Sequence, residues 1–183
     1  MIPTVKECFQ IMEKYEMLEN IRAHSVVVEK VANLIGKGLI HVGVDLTIER
    51  ITAGALLHDI GKSLCLNTGS DHAVIGEEIC VQNGLEEIAE IVREHITLQS
   101  YQPGAAICEK EIIYYADKRV NHDLVVSLEE RLSYLLKRYG RNDSFICGRI
   151  KDNFELCKDV ENKLFKGLSF RPKALGEMIN PSL

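Results

Sequence analysis

The residues most able to do chemistry are a histidine and an aspartate that stand side by side, His58-Asp59, after the apolar run Ala53–Leu57. Four more residues of the same two chemical types lie around the pair: His24, His72, His95 and Asp117. Imidazole nitrogens and carboxylate oxygens hold borderline transition metals, and an adjacent His-Asp pair brings one of each to a single point. The set predicts a metal site.

Each of these residues, taken alone, has a simpler interpretation. His24 lies beside an apolar stripe, as a hydrogen-bonded core histidine would, and His72 stands where a helix is expected to begin. His95 could complement the negative end of its helix dipole, and Asp117 could be a solvated carboxylate. One shared site explains all the residues at once, whereas the simpler interpretations require independent coincidences.

The number of metals depends on how many of the residues converge. One metal would be held by His24, His58, Asp59 and Asp117. Adding His72 and His95, with Asp59 as a bridge, would hold two metals about 3.5–4 Å apart, a spacing suited to hydrolysis at phosphorus. Water between two cations would be hydroxide near neutral pH. Because imidazoles dominate the set, we expect divalent Fe, Mn, Ni or Zn rather than Mg²⁺.

Helical periodicity dominates the elements that must position these residues, and sustained strand alternation is absent, so the sequence predicts an all-α fold. Turn residues and caps place the boundaries. The first predicted helix begins behind Thr4, the second runs from Asn20 to Gly36, and the third begins near residues 45–47 and ends after Asp59, where Gly61 stops it. Five more helices are predicted at 71–83, 86–95, 109–120, 128–139 and 146–168, with a capping box at Ser127 before the helix at 128–139. The predicted connections are 37–44, 62–70 and 97–106, and the tail from Phe170 is expected to be partly disordered or to pack on a partner.

Composition restricts the classes of function. The chain has 183 residues, 46% hydrophobic and 27% charged, which fits one soluble domain with a small C-terminal extension. The net charge of −5 argues against broad nucleic-acid binding. A small phosphorylated substrate remains compatible with this charge, because metals and nearby cations would dominate the electrostatic potential at the site. The sequence has six cysteines without a Cys-x-x-Cys pair, and neither a signal peptide nor an apolar run of membrane length is recognisable in it. We therefore expect a cytoplasmic protein that is not attached to a membrane.

The pattern His24…His58-Asp59…Asp117 resembles that of the HD superfamily of metal-dependent phosphohydrolases, and His58-Asp59-Ile60-Gly61-Lys62 is similar to its HDIG signature. The resemblance runs from about Asn20 to Val120. It implies an HD-domain helical bundle over residues 1–140, with 141–183 as a helical extension that packs on it or on a partner; a homo-oligomer is compatible with this expectation.

Within the superfamily, the additional histidines His72 and His95 resemble the extra ligands of binuclear bacterial members that split diadenosine tetraphosphate symmetrically. The segment Ile112–Asp117 also resembles the one that carries their last aspartate. The Gly-Tyr-Pro element of the cyclic-di-GMP phosphodiesterases is missing, and the acidic pair of the stringent-response hydrolases is replaced by Ile-Gly-Lys-Ser. Both of those subgroups are therefore disfavoured.

The resemblance implies a catalytic role for His58, Asp59 and Lys62, with Lys62 also pairing with substrate phosphate. Further candidates for phosphate oxygens are Arg22, Arg93, Lys118 and Arg119. The alternative for each is a solvated surface cation.

The leading hypothesis is hydrolysis of a phosphate ester or anhydride, in a nucleotide or a dinucleoside polyphosphate. Three alternatives remain: a di-iron HD oxygenase, a mononuclear nucleoside 5'-monophosphate phosphatase, and a non-catalytic signalling domain, the last disfavoured because such domains lose ligands.

Overall fold

The computed structural model describes residues 1–66, 68–140 and 143–180. Its helices are α1 (Val5–Lys14), α2 (Glu19–His41), α3 (Ile48–Leu57), α4 (Lys62–Cys65), α5 (His72–Gln82), α6 (Glu86–Glu94), α7 (Glu109–Lys118), α8 (Leu128–Tyr139), α9 (Ser144–Phe165) and α10 (Leu175–Ile179). A two-residue hairpin, β1 (Val120–Asn121) paired with β2 (Leu124–Val125), follows α7, and a 3₁₀ turn spans Pro172–Ala174. The prediction of an all-α fold is confirmed.

Helix α2 is the centre of the bundle. Its apolar stripe, Val28, Val31, Ile35 and Leu39, is fully or almost fully buried. Helix α2 packs against α3 and α7, and α6 also packs on α3 and α7 and contacts α5. Burial of this stripe, rather than helix propensity, stabilises so long a helix. The packing brings the ends of α3 and α6 and the start of α5 close to α2 and α7.

The predicted end of the second helix at Gly36 is wrong, and so is the predicted connection over residues 37–44. Helix α2 continues to His41 because Leu39 extends its buried stripe by another turn. Gly36 serves close helix packing instead: a Cβ there would lie 2.5 Å from Ile51 Cδ1 of α3. At the other end, Leu18 rather than Asn20 holds the N-cap position, and its N–H donates to Ser63 Oγ at 3.0 Å.

The predicted caps at Thr4 and Ser127 are present, whereas Asp71, predicted as the first residue of its helix, is instead the cap of α5. Thr4 and Ser127 each form a capping box with the glutamate three residues later, and Asp71 accepts a hydrogen bond from Ala73 N at the start of α5. Gly61 does not follow directly on α3, which ends at Leu57, and the short helix α4 occupies part of the predicted loop 62–70. Asn67 of that loop lies outside the described residues.

The C-terminal helices pack on the rest of the chain. Helix α9 lies against α7 and α8, and Leu175 of α10 is fully buried, with α10 next to α2 and β2. The described part of the tail is therefore packed on its own chain, and residues 181–183 lie outside the described residues. The domain boundary after residue 140 stays a prediction. Within the described ranges, none of the helices combines the length and the apolar character that crossing a membrane requires.

Candidate metal centre

All six predicted metal ligands meet in one cluster, delivered by five parts of the helical framework. His24 lies in the second turn of α2, His58 and Asp59 follow α3, His72 begins α5, His95 follows α6, and Asp117 lies in the last turn of α7. Their donor atoms form two groups, each close enough to hold an ion: His24, His58 and Asp59, and then Asp59, His72 and His95. Asp59 belongs to both.

The first group surrounds the Oδ2 atom of Asp59. His58 Nε2 lies 3.5 Å from this oxygen and His24 Nε2 lies 4.0 Å from it. Asp117 closes the group on the other side, with its Oδ1 at 3.0 Å from His24 Nε2 and 3.7 Å from His58 Nε2. Two imidazoles and two carboxylates therefore face one small volume.

The second group surrounds the other oxygen of the same carboxylate. Asp59 Oδ1 lies 3.1 Å from His72 Nε2 and 3.5 Å from His95 Nε2. The two histidine Nε2 atoms are 3.3 Å apart. One aspartate thus offers one oxygen to each group, which is the arrangement expected of a bridging ligand.

Backbone carbonyls fix the orientation of three of the rings. The Nδ1 atoms of His58 and His95 donate to Ala55 O at 2.7 Å and to Val92 O at 2.6 Å, each three residues earlier in its helix. A carbonyl can only accept, so each ring carries its proton on Nδ1 and, when neutral, turns an unprotonated Nε2 toward the centre.

The anchor of His24 comes from a residue outside the predicted ligand set. His24 Nδ1 donates to the backbone oxygen of His122, at 2.8 Å. His122 lies in the turn between β1 and β2 with φ of 55°, a left-handed conformation that is uncommon outside glycine. No signal in the sequence indicates this contact, because it is made by the backbone.

The electrostatics of Asp59, Asp117 and His95 favour the forms that bind metals. Burial disfavours the charged form of Asp59, but the neighbouring His58 and Lys62 charges outweigh it and hold the pKa of Asp59 well below its ordinary value. The pKa of Asp117 is lowered in the same way, against burial, by the hydrogen bond from His24 and the charge of Lys118. Burial lowers the pKa of His95 to about 4, so its ring is neutral at neutral pH. For His58, burial acts to lower the pKa, but the neighbouring carboxylates of Asp59 and Asp117 outweigh it and raise the pKa.

His58 supplies a direct test of whether the residues fit a metal. Its ring is completely buried, and its Nε2 has no hydrogen-bond partner among the described residues. An unpaired buried nitrogen costs about 1–3 kcal/mol unless something binds it. An unprotonated imidazole nitrogen that faces carboxylates and further imidazoles is a metal ligand in type and direction, so the residues fit a divalent metal.

A cavity of about 500 Å³ opens onto the ligands. Its polar floor contains Asp59, His72, His95 and Asp117. Its lining also includes apolar and aromatic side chains of α8 and α9, namely Leu135, Tyr139, Ile146, Ile150 and Phe154. A ligand that bound here would meet both charged groups and an apolar surface.

Two of the five predicted phosphate-binding residues line this cavity. Lys62 Nζ donates to Asp59 Oδ2 at 2.7 Å. Lys118 is buried, with its Nζ donating to His95 O at 3.0 Å and lying 3.9 Å from Asp117 Oδ2. Both ammonium groups therefore stand beside the carboxylates of the centre.

The structure does not bring the three predicted arginines to the cavity. Arg22 donates to backbone carbonyls of α1 and the α1–α2 connection. Arg93 pairs on the surface with Glu77 at 3.4 Å, and buried Arg119 donates to the carbonyls of Val126 and of Pro172. These side chains hold elements together, because each has partners nearer than the ligand cluster.

Sequence reasoning missed Arg131. This α8 residue lines the cavity, and its Nη2 lies 3.9 Å from Asp117 Oδ1. None of the site residues predicted from the sequence lies in α8. A signal was present, since Leu128, Arg131 and Leu135 follow the i, i+3, i+7 spacing of a buried face, where a charged residue requires a reason.

Comparisons with known proteins agree with this geometry. The HD domain model matches residues 21–121, more than half of the chain. An uncharacterized protein of Methanocaldococcus jannaschii is 27% identical over 68% of this chain and 80% of its own length. The tRNA (cytidine(56)-2'-O)-methyltransferase of Thermoplasma volcanium is 32% identical over 61% of this chain, and ribonuclease Y of Thermosipho melanesiensis is 40% identical over 42% of it.

The matched regions make up only 29% of that methyltransferase and 14% of that ribonuclease. No solved structure matches the chain. The family match covers the elements that carry all six ligands, from α2 to α7. The chain therefore belongs to the HD domain family of metal-dependent phosphohydrolases.

Proposed function

We propose that this protein is a binuclear metal-dependent hydrolase of a phosphate ester or anhydride, with a nucleotide or a dinucleoside polyphosphate as its substrate. The observation that carries the proposal is the position of Asp59, whose two oxygens face two separate histidine groups. A mononuclear enzyme would have no use for His72 and His95 at 3.1 Å and 3.5 Å from the second oxygen.

We assign one metal ion to each of the two groups of side chains. His24, His58, Asp59 and Asp117 would hold the first, and Asp59, His72 and His95 the second. When bound, such a metal pair supplies Lewis acidity toward phosphoryl oxygens and lowers the pKa of water at the site. The excess of imidazole favours Fe, Mn, Ni or Zn over Mg²⁺.

The chain's own residues contribute binding, orientation and charge. The carbonyl anchors of His24, His58 and His95 hold the rings in place without substrate. Lys62 and Lys118 place positive charge beside the carboxylates, where it offsets the negative charge that develops as a phosphoryl bond breaks.

The shape of the cavity supports a small organic phosphate. Its volume of about 500 Å³ lies in the range of small-molecule sites. The apolar surface formed by α8 and α9 suits a nucleoside, while the charged floor suits its phosphates. The net charge of −5 weighs against a long polyanion, although two relatives carry names that refer to RNA.

The test begins with metal analysis of protein purified without chelator. The metal-loaded protein is then assayed with mononucleotides, dinucleoside polyphosphates, simple phosphoesters and an RNA oligonucleotide, in Mn²⁺, Fe²⁺, Co²⁺ or Ni²⁺. We expect two transition metals per chain and hydrolysis of one of the nucleotide classes.

Asp59→Asn tests the centre itself, with Asp45→Asn as the matched control, because Asp45 is an exposed carboxylate in the α2–α3 connection. Asp59→Asn should lose turnover by at least about a hundredfold, since it removes a ligand of both metals. Near-native turnover of Asp59→Asn at saturating metal, no uptake of transition metal by the native protein, or iron-dependent oxygen consumption without phosphate release would each refute the proposal.

A further inference from the structure

Arg131 is a buried cation at the edge of the metal centre. It is 9% exposed, its Nη1 donates to Asn121 Oδ1 at 3.0 Å, and its Nη2 lies 3.9 Å from Asp117 Oδ1. It lines the cavity from α8, on a helix that lies outside the family match at residues 21–121.

Most of the hydrogen-bonding capacity of this guanidinium is unused. A guanidinium has five N–H donors, and the described residues provide Arg131 with one hydrogen bond, the one to Asn121. Its Nε is buried without a partner. At 3.9 Å, the contact with Asp117 is an ion pair rather than a hydrogen bond. A buried cation of this kind requires a further anion to offset its desolvation.

The other cations of the cavity are already engaged. Lys62 donates to Asp59 Oδ2, and Lys118 donates to the carbonyls of His95 and Tyr114. The cavity lining holds three cations and two aspartates, in a chain whose net charge is −5. The local excess of positive charge favours an anion, and Arg131 has the donors to bind it.

We propose that Arg131 binds a phosphoryl oxygen of the substrate through Nη2, next to the first ligand group. The inference rests on the proposed function, because it assumes that a phosphate enters this cavity. Arginine suits the role since its planar, permanently charged group forms directed hydrogen bonds to phosphate. Helix α8, C-terminal to the ligand framework, thus completes the substrate site.

The experiment measures inorganic phosphate binding to the metal-loaded protein by calorimetry, independently of turnover. Arg131→Ala should weaken phosphate binding by about tenfold to a hundredfold, the loss of one charge-assisted hydrogen bond. Arg131→Lys retains the charge but not the planar group and should show a smaller loss. Arg138→Lys makes the same change at an exposed position of the same helix and should match the wild type.

A second measurement separates substrate binding from support of Asp117. If Arg131 only positioned Asp117, then Arg131→Ala would lose metal, and added guanidinium would not restore phosphate binding. We expect unchanged metal content, and partial rescue of phosphate binding by guanidinium in Arg131→Ala alone. Should Arg131→Ala fail to fold, Arg131→Lys carries the comparison.

The outcomes distinguish this proposal from the proposed function. Phosphate binding that weakens in Arg131→Ala, in a protein that hydrolyses nothing in the panel, would support Arg131 and refute the hydrolase. Hydrolysis with phosphate affinity unchanged in Arg131→Ala would overturn the role of Arg131 and leave the hydrolase standing. Absence of phosphate binding in the wild-type protein would also overturn it.

Discussion

His72 is the residue that separates a one-metal centre from a two-metal centre. Its Nε2 faces Asp59 Oδ1, on the side away from His24 and His58. We expect His72→Ala to reduce the metal content from two ions per chain to one and to lower turnover steeply, because the first ligand group remains complete. Elemental analysis and steady-state rates provide the measurement.

The matched control for that change is His41→Ala, which removes an exposed imidazole at the end of α2. It should retain both metals and the wild-type rate. If His72→Ala kept two metals, the second group would be assigned wrongly, and a mononuclear phosphatase of nucleoside monophosphates would become the better hypothesis.

His95 predicts a pH dependence of stability in the metal-free protein. Its pKa in the folded state is about 4, below the ordinary value of 6.5, because burial disfavours the charged ring. The unfolded chain therefore binds the proton more readily. The contribution of His95 to stability is fully present above about pH 6.5 and is lost as the pH falls through 4.

The measurement is denaturant unfolding in the presence of chelator at pH 7 and pH 5. Because the pKa of His58 is raised and acts in the opposite direction, the comparison is made against His95→Asn. The free energy of unfolding of the wild type should fall by about 2 kcal/mol more than that of His95→Asn over this interval. Equal changes in both proteins would contradict the low pKa of His95.

Residue types were sufficient to predict which six side chains converge, because four histidines and two aspartates at these positions have one economical explanation. Their role as metal ligands stays a prediction. Residue types were not sufficient for the phosphate-binding residues. Arg22, Arg93 and Arg119 are near the ligands in sequence, yet each has closer partners in the fold. Arg131 reaches the cavity from α8, and only the packing of α8 on α9 and of α9 on α7 reveals it.

At the scale of elements, Gly61 controls how closely α5 approaches the His-Asp segment. A Cβ at this position would lie 2.4 Å from the backbone oxygen of His72 and 2.8 Å from Gly76 N. We expect Gly61→Ala to destabilise the fold by roughly 1–3 kcal/mol, because backbone rather than a flexible side chain would have to move. It should also weaken the second metal, since the displaced residue is His72.

Gly148→Ala is the control for that substitution. Gly148 lies within α9 with no atom within 4 Å of its Cβ position, so alanine there should raise stability by about 0.5–1 kcal/mol. Thermal unfolding and metal titration of both variants provide the test. A Gly61→Ala protein as stable as the wild type, with both metals bound, would show that α5 can shift freely.

Element boundaries were predictable where local chemistry decides them. The capping boxes at Thr4 and Ser127 depend on residues within three positions of the helix start. The end of α2 was not predictable, because Gly36 is a helix-ending residue by local rules but meets Ile51 across a helix interface. Likewise, nothing local to residues 120–125 predicted the hairpin that anchors His24.

For the molecule as a whole, the metals are expected to act as tertiary links. Their ligands come from α2, α3, α5, α6 and α7 or the residues adjoining them, so unfolding must break every metal–ligand bond. Metal at a hundred times its dissociation constant should stabilise the fold by about 2.7 kcal/mol per independent site. We expect chelation to lower Tm by roughly 5–10 °C for each such site, measured by calorimetry with and without chelator. A Tm independent of metal would contradict this.

The shared carboxylate of Asp59 has a consequence for how the protein takes up its metals. An ion on Oδ2 draws electron density from Oδ1, and two divalent ions at one carboxylate repel each other, so each ion lowers the affinity for the other. By thermodynamic reciprocity this antagonism is the same in both directions. If the protein binds two metals as proposed, we expect loading to be stepwise, with the half-filled protein as the dominant species over a range of metal concentrations. The supply of metal would then set how much of the protein is competent for the proposed hydrolysis.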